Sequence, residues 1–300
     1  MYQYSFITPS RGRIKLFQKL IDSIEINTKW LNRIEIVVLI DNDDLELEKY
    51  SSLQNNKIKI NKIYSNKRMR MGEMINACCS RATGEYVIFC NDDVEVITKN
   101  WDILLDEKIE KIKSNCFLFY ANDGTNNPRH HSWPIFSKII FGANPDIVPW
   151  YYYGHYLDTH IFDIFSKVEK ILNKKLIHFL NDITFYHKHP LLGNYETDDT
   201  YRFRDSMNRL GVRLFLTNYK HRNLISKGVV NFILKSKYNY TYINRHAYDL
   251  KKKSNLFFGF LFSTIFSQTK FNYKFRLFIF FILVFLSNLK RKVKDGKLFN

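Results

Sequence analysis

Three hundred residues, a hydrophobic content of 45% and only 11 Gly and 6 Pro exclude a disordered or collagen-like chain and allow one large or two modest globular domains. The net charge of +17 is unevenly placed: residues 220–300 hold 17 of the 46 Lys and Arg against only Asp249 and Asp295, so the first 219 residues are nearly neutral. Basicity confined to a tail points to a membrane surface or nucleic acid as that tail's partner. Cys78, Cys79, Cys90 and Cys116 lie in apolar surroundings without CxxC spacing, which reads as core thiols in a reducing compartment. The opening MYQYSFITPSRGR lacks the charged-then-apolar plan of a signal peptide, so a cytoplasmic start is expected.

In chain order, Tyr4 to Thr8 is a short apolar strand broken by Pro9-Ser10-Arg11-Gly12. Residues 14–26 place Ile14, Leu16, Phe17, Leu20, Ile21 and Ile24 on an apolar face at helical spacing. Ile34 to Ile40 is a second strand of nearly continuous apolar character that ends on Asp41-Asn42-Asp43-Asp44, and Lys57 to Tyr64 reads as a third. A helix over Met71–Ala82 follows. The next stretch, GEYVIFCNDDVE from Gly84 to Glu95, carries a buried-type strand that stops on Asn91-Asp92-Asp93. Residues 100–113 are helical, and Cys116 to Ala121 is a fifth strand that ends on Asn122-Asp123-Gly124.

Strands alternating with helices predict βαβ units and a mostly parallel sheet covered on both faces, hence an α/β fold. In such a sheet the loops after the strands meet at one edge. Pro9 to Arg11, Asp41 to Asp44 and Asn91 to Asp93 therefore converge, at the edge where ligands of open α/β sheets bind. Paired carboxylates on a rigid strand end suit a hard divalent cation bridging to phosphate oxygens. Mn²⁺ or Mg²⁺ fits better than zinc.

Residues 122–153 form a long irregular region rich in His130, His131, Trp133, Trp150 and Tyr151–Tyr153. Such aromatics suit sugar rings, or a small core beneath a loop. Asp158 opens a segment to Leu172 with an apolar face at helical spacing, where a carboxylate acts as a helix cap, a general base, or both. His187 and His189 flank Lys188 after the strand-like Ile183–Tyr186. Asp199 and Arg202 sit in a further helical stretch, either closing the site or lying on an exposed face.

Several of these motifs together resemble the GT-A glycosyltransferases of family 2. They are ITPSRGR (Ile7–Arg13), LIDNDD (Leu39–Asp44), MGEMINACCSRATGEYVIFCNDD (Met71–Asp93) and, more weakly, YLDTHIFDIF (Tyr156–Phe165) and YHKHP followed by DDTYR (Tyr186–Arg202). The resemblance covers roughly residues 4–205 and implies a GT-A fold that binds a nucleotide-diphosphate sugar. It implies that Pro9, Ser10 and Arg11 line the nucleotide, that Asp41, helped by Asp43, accepts from the base, and that Arg70, Gly72 and Asn76 lie near the diphosphate. Asp93 would hold Mn²⁺ or Mg²⁺, with His187 reaching metal or diphosphate, and Asp158 would be the base of an inverting transfer. Asn91 departs from the DxD pattern, which leaves Asp92 to hold the sugar or a metal-bound water. The implied domains are 1–220, with a nucleotide half (1–121) and an acceptor half (122–220), followed by the tail 221–300.

In the tail, Leu256–Phe266 and Leu277–Leu286 are apolar runs, each shorter than the roughly 20 residues of a comfortable span and flanked by cations. They predict helices lying in or dipping into an anionic leaflet, with a glycan or glycolipid acceptor met at the cytoplasmic face and no nucleic-acid partner. The alternatives are a single span over Phe271–Leu289 with Lys274 and Arg276 snorkelling, or a pair of core helices packed on the sheet. The rival readings are a sugar nucleotidyltransferase, a nucleic-acid binder and a non-catalytic module. Ser10–Arg13 is too short for the first one's phosphate loop.

Overall fold

The computed structural model describes residues 3–112, 114–143, 148–188 and 198–234, with Phe275, Ile279 and Ile282 as isolated helical positions beyond them. In chain order the strands are β1 (Tyr4–Pro9), β2 (Ile34–Asp41), β3 (Lys59–Ser65), β4 (Tyr86–Phe89), β5 (Val94–Val96), β6 (Leu118–Asn122), β7 (Pro134–Ser137) and β8 (Ile177–His187). The helices are α1 (Ile14–Asn27), α2 (Leu47–Ser52), α3 (Met71–Arg81), α4 (Trp101–Ile112), α5 (Lys138–Ala143), α6 (Leu157–Leu172), α7 (Asp199–Ser206), α8 (Asn208–Thr217) and α9 (Tyr219–Ile233).

One sheet holds all eight strands in the order β3-β2-β1-β4-β7-β6-β8-β5. The first half is parallel, as its buried, β-branched strands predict. The sheet as a whole is mixed, because β7 runs antiparallel to both β4 and β6, and β5 antiparallel to β8. Pro134–Ser137, inside the region expected to be irregular, supplies β7. The two reversals at β7 leave β6, and with it β8, running in the direction of β1–β4. The C-terminal ends of β1, β2, β4, β6 and β8 therefore share one edge.

Alternation divides the core. Ile7, Val37, Leu39, Val87 and Phe89 face a layer built with α3, α6 and α9. Phe6, Ile36, Val38, Ile40 and Ile88 face the layer of α1 and α4. Both sheet faces are thus dry, and only strand ends are left to bind ligands. The four cysteines are free and buried.

Two glycines of the quoted motifs are required by close packing. A Cβ on Gly84 would lie 2.5 Å from Ser5 Oγ. Beneath it, the buried Glu35 carboxylate accepts from Ser5 Oγ at 2.6 Å and from Thr83 N at 2.5 Å. This knot ties the turn entering β4 to β1 and β2, and so fixes the strand that delivers Asp92 and Asp93. A Cβ on Gly72 would sit 1.9 Å from Pro149 O, so α3 begins in backbone contact with the 148–153 segment.

No helix among the described residues is long and apolar enough to cross a membrane. The runs Leu256–Phe266 and Leu277–Leu286 lie outside the described residues, apart from Ile279 and Ile282.

Candidate active site

The shared edge carries two adjoining cavities. The first has an empty volume of about 710 Å³ and is lined by Pro9, Ser10, Arg11, Asp41, Asp92 and Asp93, with Arg68, Tyr201 and Arg204 on its far side. The convergence expected from the βα loops is therefore present. Asn91 lines both cavities, and so do Met71 and Arg204.

At the nucleotide end, Arg11 Nη1 donates to Asp41 Oδ2 at 2.9 Å and forks onto Asp43 at 2.5 and 3.0 Å. Burial raises the Asp41 pKa despite Arg11. The exposed Asp43 is held below the usual carboxylate range by the Arg11 hydrogen bond. Asp43 steadies Arg11 from outside and is not among the lining residues. Ser10 Oγ donates to Asp92 Oδ2 at 2.7 Å and meets the Tyr50 hydroxyl at 2.6 Å.

Arg13 organises the acidic end. Its side chain is buried, with Nη1 3.2 Å from Asp92 Oδ1 and 3.3 Å from Asp93 Oδ2. Its Nε and Nη2 each donate to Asp198 at 2.7 Å. Three carboxylates thus share one guanidinium. Burial, opposed by Arg13 and reinforced by Asp93, pushes the Asp92 pKa up to about 6. Asp93 stays ionised: burial would raise its pKa, but His187, Arg13 and the Tyr201 hydroxyl outweigh that.

Asp93 Oδ2 accepts from Tyr201 at 2.6 Å. Its other oxygen, Oδ1, is buried without a hydrogen-bond partner and lies 3.5 Å from His187 Nε2. A buried carboxylate oxygen left unsatisfied costs free energy unless a cation meets it. Among the described residues no three His, Cys, Asp or Glu side chains form a closed metal cage. Mg²⁺-type ions do not need one, since they take one or two protein ligands and fill the rest with phosphate oxygens and water. Asp93 fits that donor set, and the His187 imidazole adds a nitrogen that Mn²⁺ accepts more readily than Mg²⁺.

The second cavity, of about 780 Å³, contains Asp158 and His187. Asp158 stands in the first turn of α6, where its Oδ1 accepts from Thr159 N at 2.8 Å. The residue before the helix is Tyr156, so Asp158 is not the cap itself. Burial raises its pKa above the ordinary carboxylate value, a shift that favours proton acceptance near neutral pH.

Three residues expected near a diphosphate lie elsewhere. Gly72 serves the backbone contact described above. Asn76 spends its amide on Val148 O at 2.9 Å. Arg70 sits over the rings of Trp150 and Tyr153, about 5 Å from each centroid. None of the three lines either cavity, because α3 presents that side to the 148–153 segment rather than to the sheet edge.

Asp199 and Arg202 pair with each other at 2.7 Å on the exposed face of α7. Their neighbours Asp198 and Tyr201 are the ones that turn into the site. Arg13, Asp198 and Tyr201 were not singled out from sequence. Arg13 closes the quoted ITPSRGR motif, and Asp198 and Tyr201 belong to the quoted DDTYR, in which sequence reasoning picks out Asp199 and Arg202. His189 lies outside the described residues. Tyr151 and Tyr152 are core, as the bland reading had it, while Tyr153 lines the first cavity.

Comparison with known proteins agrees with this geometry. The family model "Glycosyl transferase family 2" matches residues 5–172. No curated protein sequence matches. Among solved structures, S. aureus TarS residues 1–349 in complex with UDP-GlcNAc is similar at 16% identity and a TM-score of 0.50, covering 76% of this chain and 72% of that one. The mannosyltransferase PcManGT from Pyrobaculum calidifontis in complex with GDP-Man and Mn²⁺ is similar at 12% identity and a TM-score of 0.51, covering 77% and 70%. At these identities the likeness speaks for the fold, a GT-A-like mixed sheet flanked by helices. The family match spans more than half of the residues, including the ends of β1, β2 and β4 with Asp41, Asp92 and Asp93, and stops before β8 and His187. The chain therefore belongs to glycosyl transferase family 2 and is a nucleotide-sugar glycosyltransferase.

Proposed function

We propose that the enzyme is metal-dependent and moves a sugar from a nucleotide-diphosphate donor in the first cavity to a glycan or glycolipid acceptor in the second. The observation that carries this reading is the buried Asp93 Oδ1, which accepts no hydrogen bond and has only His187 Nε2, 3.5 Å away, beside it. Asp93 and His187 would hold Mn²⁺ or Mg²⁺, which supplies charge neutralisation for a departing diphosphate. Arg68 adds fixed positive charge to the same cavity. Asp41 and Arg11 lie where a base would be read, and Pro9 and Ser10 floor the pocket.

Asp158 takes the proton of the attacking acceptor hydroxyl. As the new C–O bond forms at the anomeric carbon, the bond to the diphosphate breaks and its electron pair leaves with the diphosphate oxygen. Attack from the second cavity on the face of the anomeric carbon opposite the diphosphate would invert its configuration, and the two adjoining cavities, which share Asn91, support that reading.

The tail beyond α9 is assigned to the cytoplasmic face of an anionic membrane; because α9 (Tyr219–Ile233) packs into the layer with α3 and α6, the catalytic unit is drawn to the end of α9 and not at residue 220. Supporting the membrane assignment are the cations of residues 220–300 and the exposed apolar side chains Leu224, Phe232 and Leu234 at the chain's approach to that tail. The test is a screen of nucleotide-sugars for hydrolysis or transfer with and without chelator. Turnover that survives complete chelation overturns the metal role, and no turnover of any nucleotide-sugar overturns the donor assignment.

A further inference from the structure

Among the described residues, five non-glycine residues have left-handed backbone, and three of them are Asn, which tolerates it. The other two are Trp133 (φ 54°) and Tyr156 (φ 70°), and both line the second cavity. A bulky residue in that region is an outlier that persists only when the surroundings impose it, and such outliers gather at ligand sites. Tyr156 needs extra room as well: a Cβ on Gly211 would press within 3.2 Å of the Tyr156 ring.

Trp133 is only 6% exposed and packs into the layer of α1 and α4, whereas Tyr156 is half-buried. The accessible hydrocarbon is therefore that of Tyr156, with Trp133 behind the wall. The Trp133 indole N–H is committed to Phe185 O at 2.9 Å, and the ring meets His187 edge-on at 4.9 Å. Trp133 thus stands one side chain away from the group that approaches Asp93. The cations of the cavity are already balanced. Arg204 lies 3.0 Å and His155 3.1 Å from the same oxygen of Asp205. With Asp158 in the same wall, an anionic acceptor meets no surplus of positive charge. An aromatic face beside polar groups of near-zero net charge matches a neutral ring with one apolar face and a rim of hydroxyls.

We propose that the second cavity takes a neutral pyranose ring of the acceptor against Tyr156, backed by Trp133, so that the acceptor hydroxyl is presented to Asp158 by a sugar residue and not by a phosphate-bearing polyol or lipid headgroup. This rests on the assignment of the second cavity to the acceptor. It makes Tyr156 a specificity-determining residue.

The experiment is saturation-transfer NMR on the full chain with three probes: methyl β-D-glucopyranoside, methyl N-acetyl-β-D-glucosaminide and glycerol 3-phosphate. The variants are Tyr156→Asn, which keeps a residue tolerant of left-handed backbone, and Tyr156→Phe, which keeps the ring. Melting temperature serves as the folding control. At least one pyranoside should bind the wild type and Tyr156→Phe alike and bind Tyr156→Asn about tenfold more weakly, the scale of one lost aromatic contact. Preference for glycerol 3-phosphate, equal pyranoside binding to a folded Tyr156→Asn, or no binding of either pyranoside overturns the proposal. Pyranoside binding of the expected pattern, in a protein that turns over no nucleotide-sugar, leaves the sugar site standing and removes the glycosyl-transfer reading instead.

Discussion

The hydroxyl of Tyr201 donates a 2.6 Å hydrogen bond to Asp93, bringing α7 down onto the strand end that carries the acidic pair. The same helix is capped by Asp198, whose carboxylate also takes two hydrogen bonds from Arg13. Without donor, α7 therefore rests on the groups that a metal–diphosphate complex would engage. Tyr201→Phe removes a hydrogen bond to a charged group, worth about 1.5–3 kcal/mol. We expect a lower melting temperature together with tighter binding of Mn²⁺ plus nucleoside diphosphate by calorimetry, because one competitor for Asp93 is gone. Weaker metal–nucleotide binding would instead make the Tyr201 hydroxyl part of the loaded site.

Asp93→Asn should abolish metal-stimulated transfer and leave folding nearly intact. The usual penalty for breaking a buried ion pair is offset here, since Arg13 retains Asp92 and Asp198 and the local excess of negative charge falls. Asp92, relieved of its neighbour's charge, should titrate lower, and a carboxyl-resolved NMR titration reads this directly. Full activity of Asp93→Asn in chelator would remove the metal from the mechanism.

Asp158→Asn should cut turnover by about 10²-fold or more, the scale of a lost general base. The pH profile gives a second check. A base must be ionised, so activity falls as pH drops through the Asp158 pKa, and burial places that limb above the ordinary carboxylate range. Stability runs the other way. A folded pKa raised above the unfolded one means that ionising Asp158 costs stability as pH rises through the folded value. Asp158→Asn should therefore melt no lower than wild type at neutral pH. A variant with normal turnover and a lower melting temperature would reduce Asp158 to a helix-end residue.

The orientation of Asp158 depends on α6, and α6 is tied to α9 by buried charge. Asp163 accepts from Arg222 Nε at 2.5 Å and from Lys167 one turn on. Burial, only partly opposed by Asp163, brings the Lys167 pKa down to about 8. Removing the shared acceptor strands two buried cations, so Asp163→Asn should cost about 3–5 kcal/mol in denaturant unfolding. Lys167→Met leaves the Asp163–Arg222 pair intact and should cost far less. Equal losses would show that packing, not charge, joins the helices.

Much of this was legible from residue order because both sheet faces are buried. Near-continuous apolar runs such as Ile34–Ile40 admit few alternatives, and carboxylates at the ends of parallel strands must converge. The misplaced residues share a different cause. Asn76 and Arg70 follow the family-like pattern along α3, yet their partners Val148, Trp150 and Tyr153 come from a segment whose path no local periodicity encodes. Tyr201 and Asp198 reach the site only through the tertiary placement of α7, and β7 is hidden because Pro134–Ser137 is too short to show alternation. Gly72 and Gly84 were quoted as motif glycines, but the contacts that require them, Pro149 O and Ser5 Oγ, belong to distant parts of the chain.

The tail gives the last prediction. Residues 220–300 carry the protein's excess of cations together with two apolar runs, and two forces should hold them at a membrane. Each Lys or Arg near an anionic leaflet contributes about 1 kcal/mol, a term that salt screens. Burial of apolar side chains adds about 25 cal/mol per Å², which screening does not remove. In liposome flotation the full chain should therefore bind anionic vesicles strongly, bind neutral vesicles weakly, and stay partly bound at 1 M salt. Removing residues 251–300 should give a more soluble protein that keeps donor binding, since the strand ends that build the first cavity all precede residue 94 and α7 ends at Ser206. Transfer to a lipid-linked acceptor should drop while transfer to a soluble glycan persists. Complete release by salt would make the attachment purely electrostatic. Loss of folding and donor binding on truncation would place the two apolar runs in the core and end the membrane assignment.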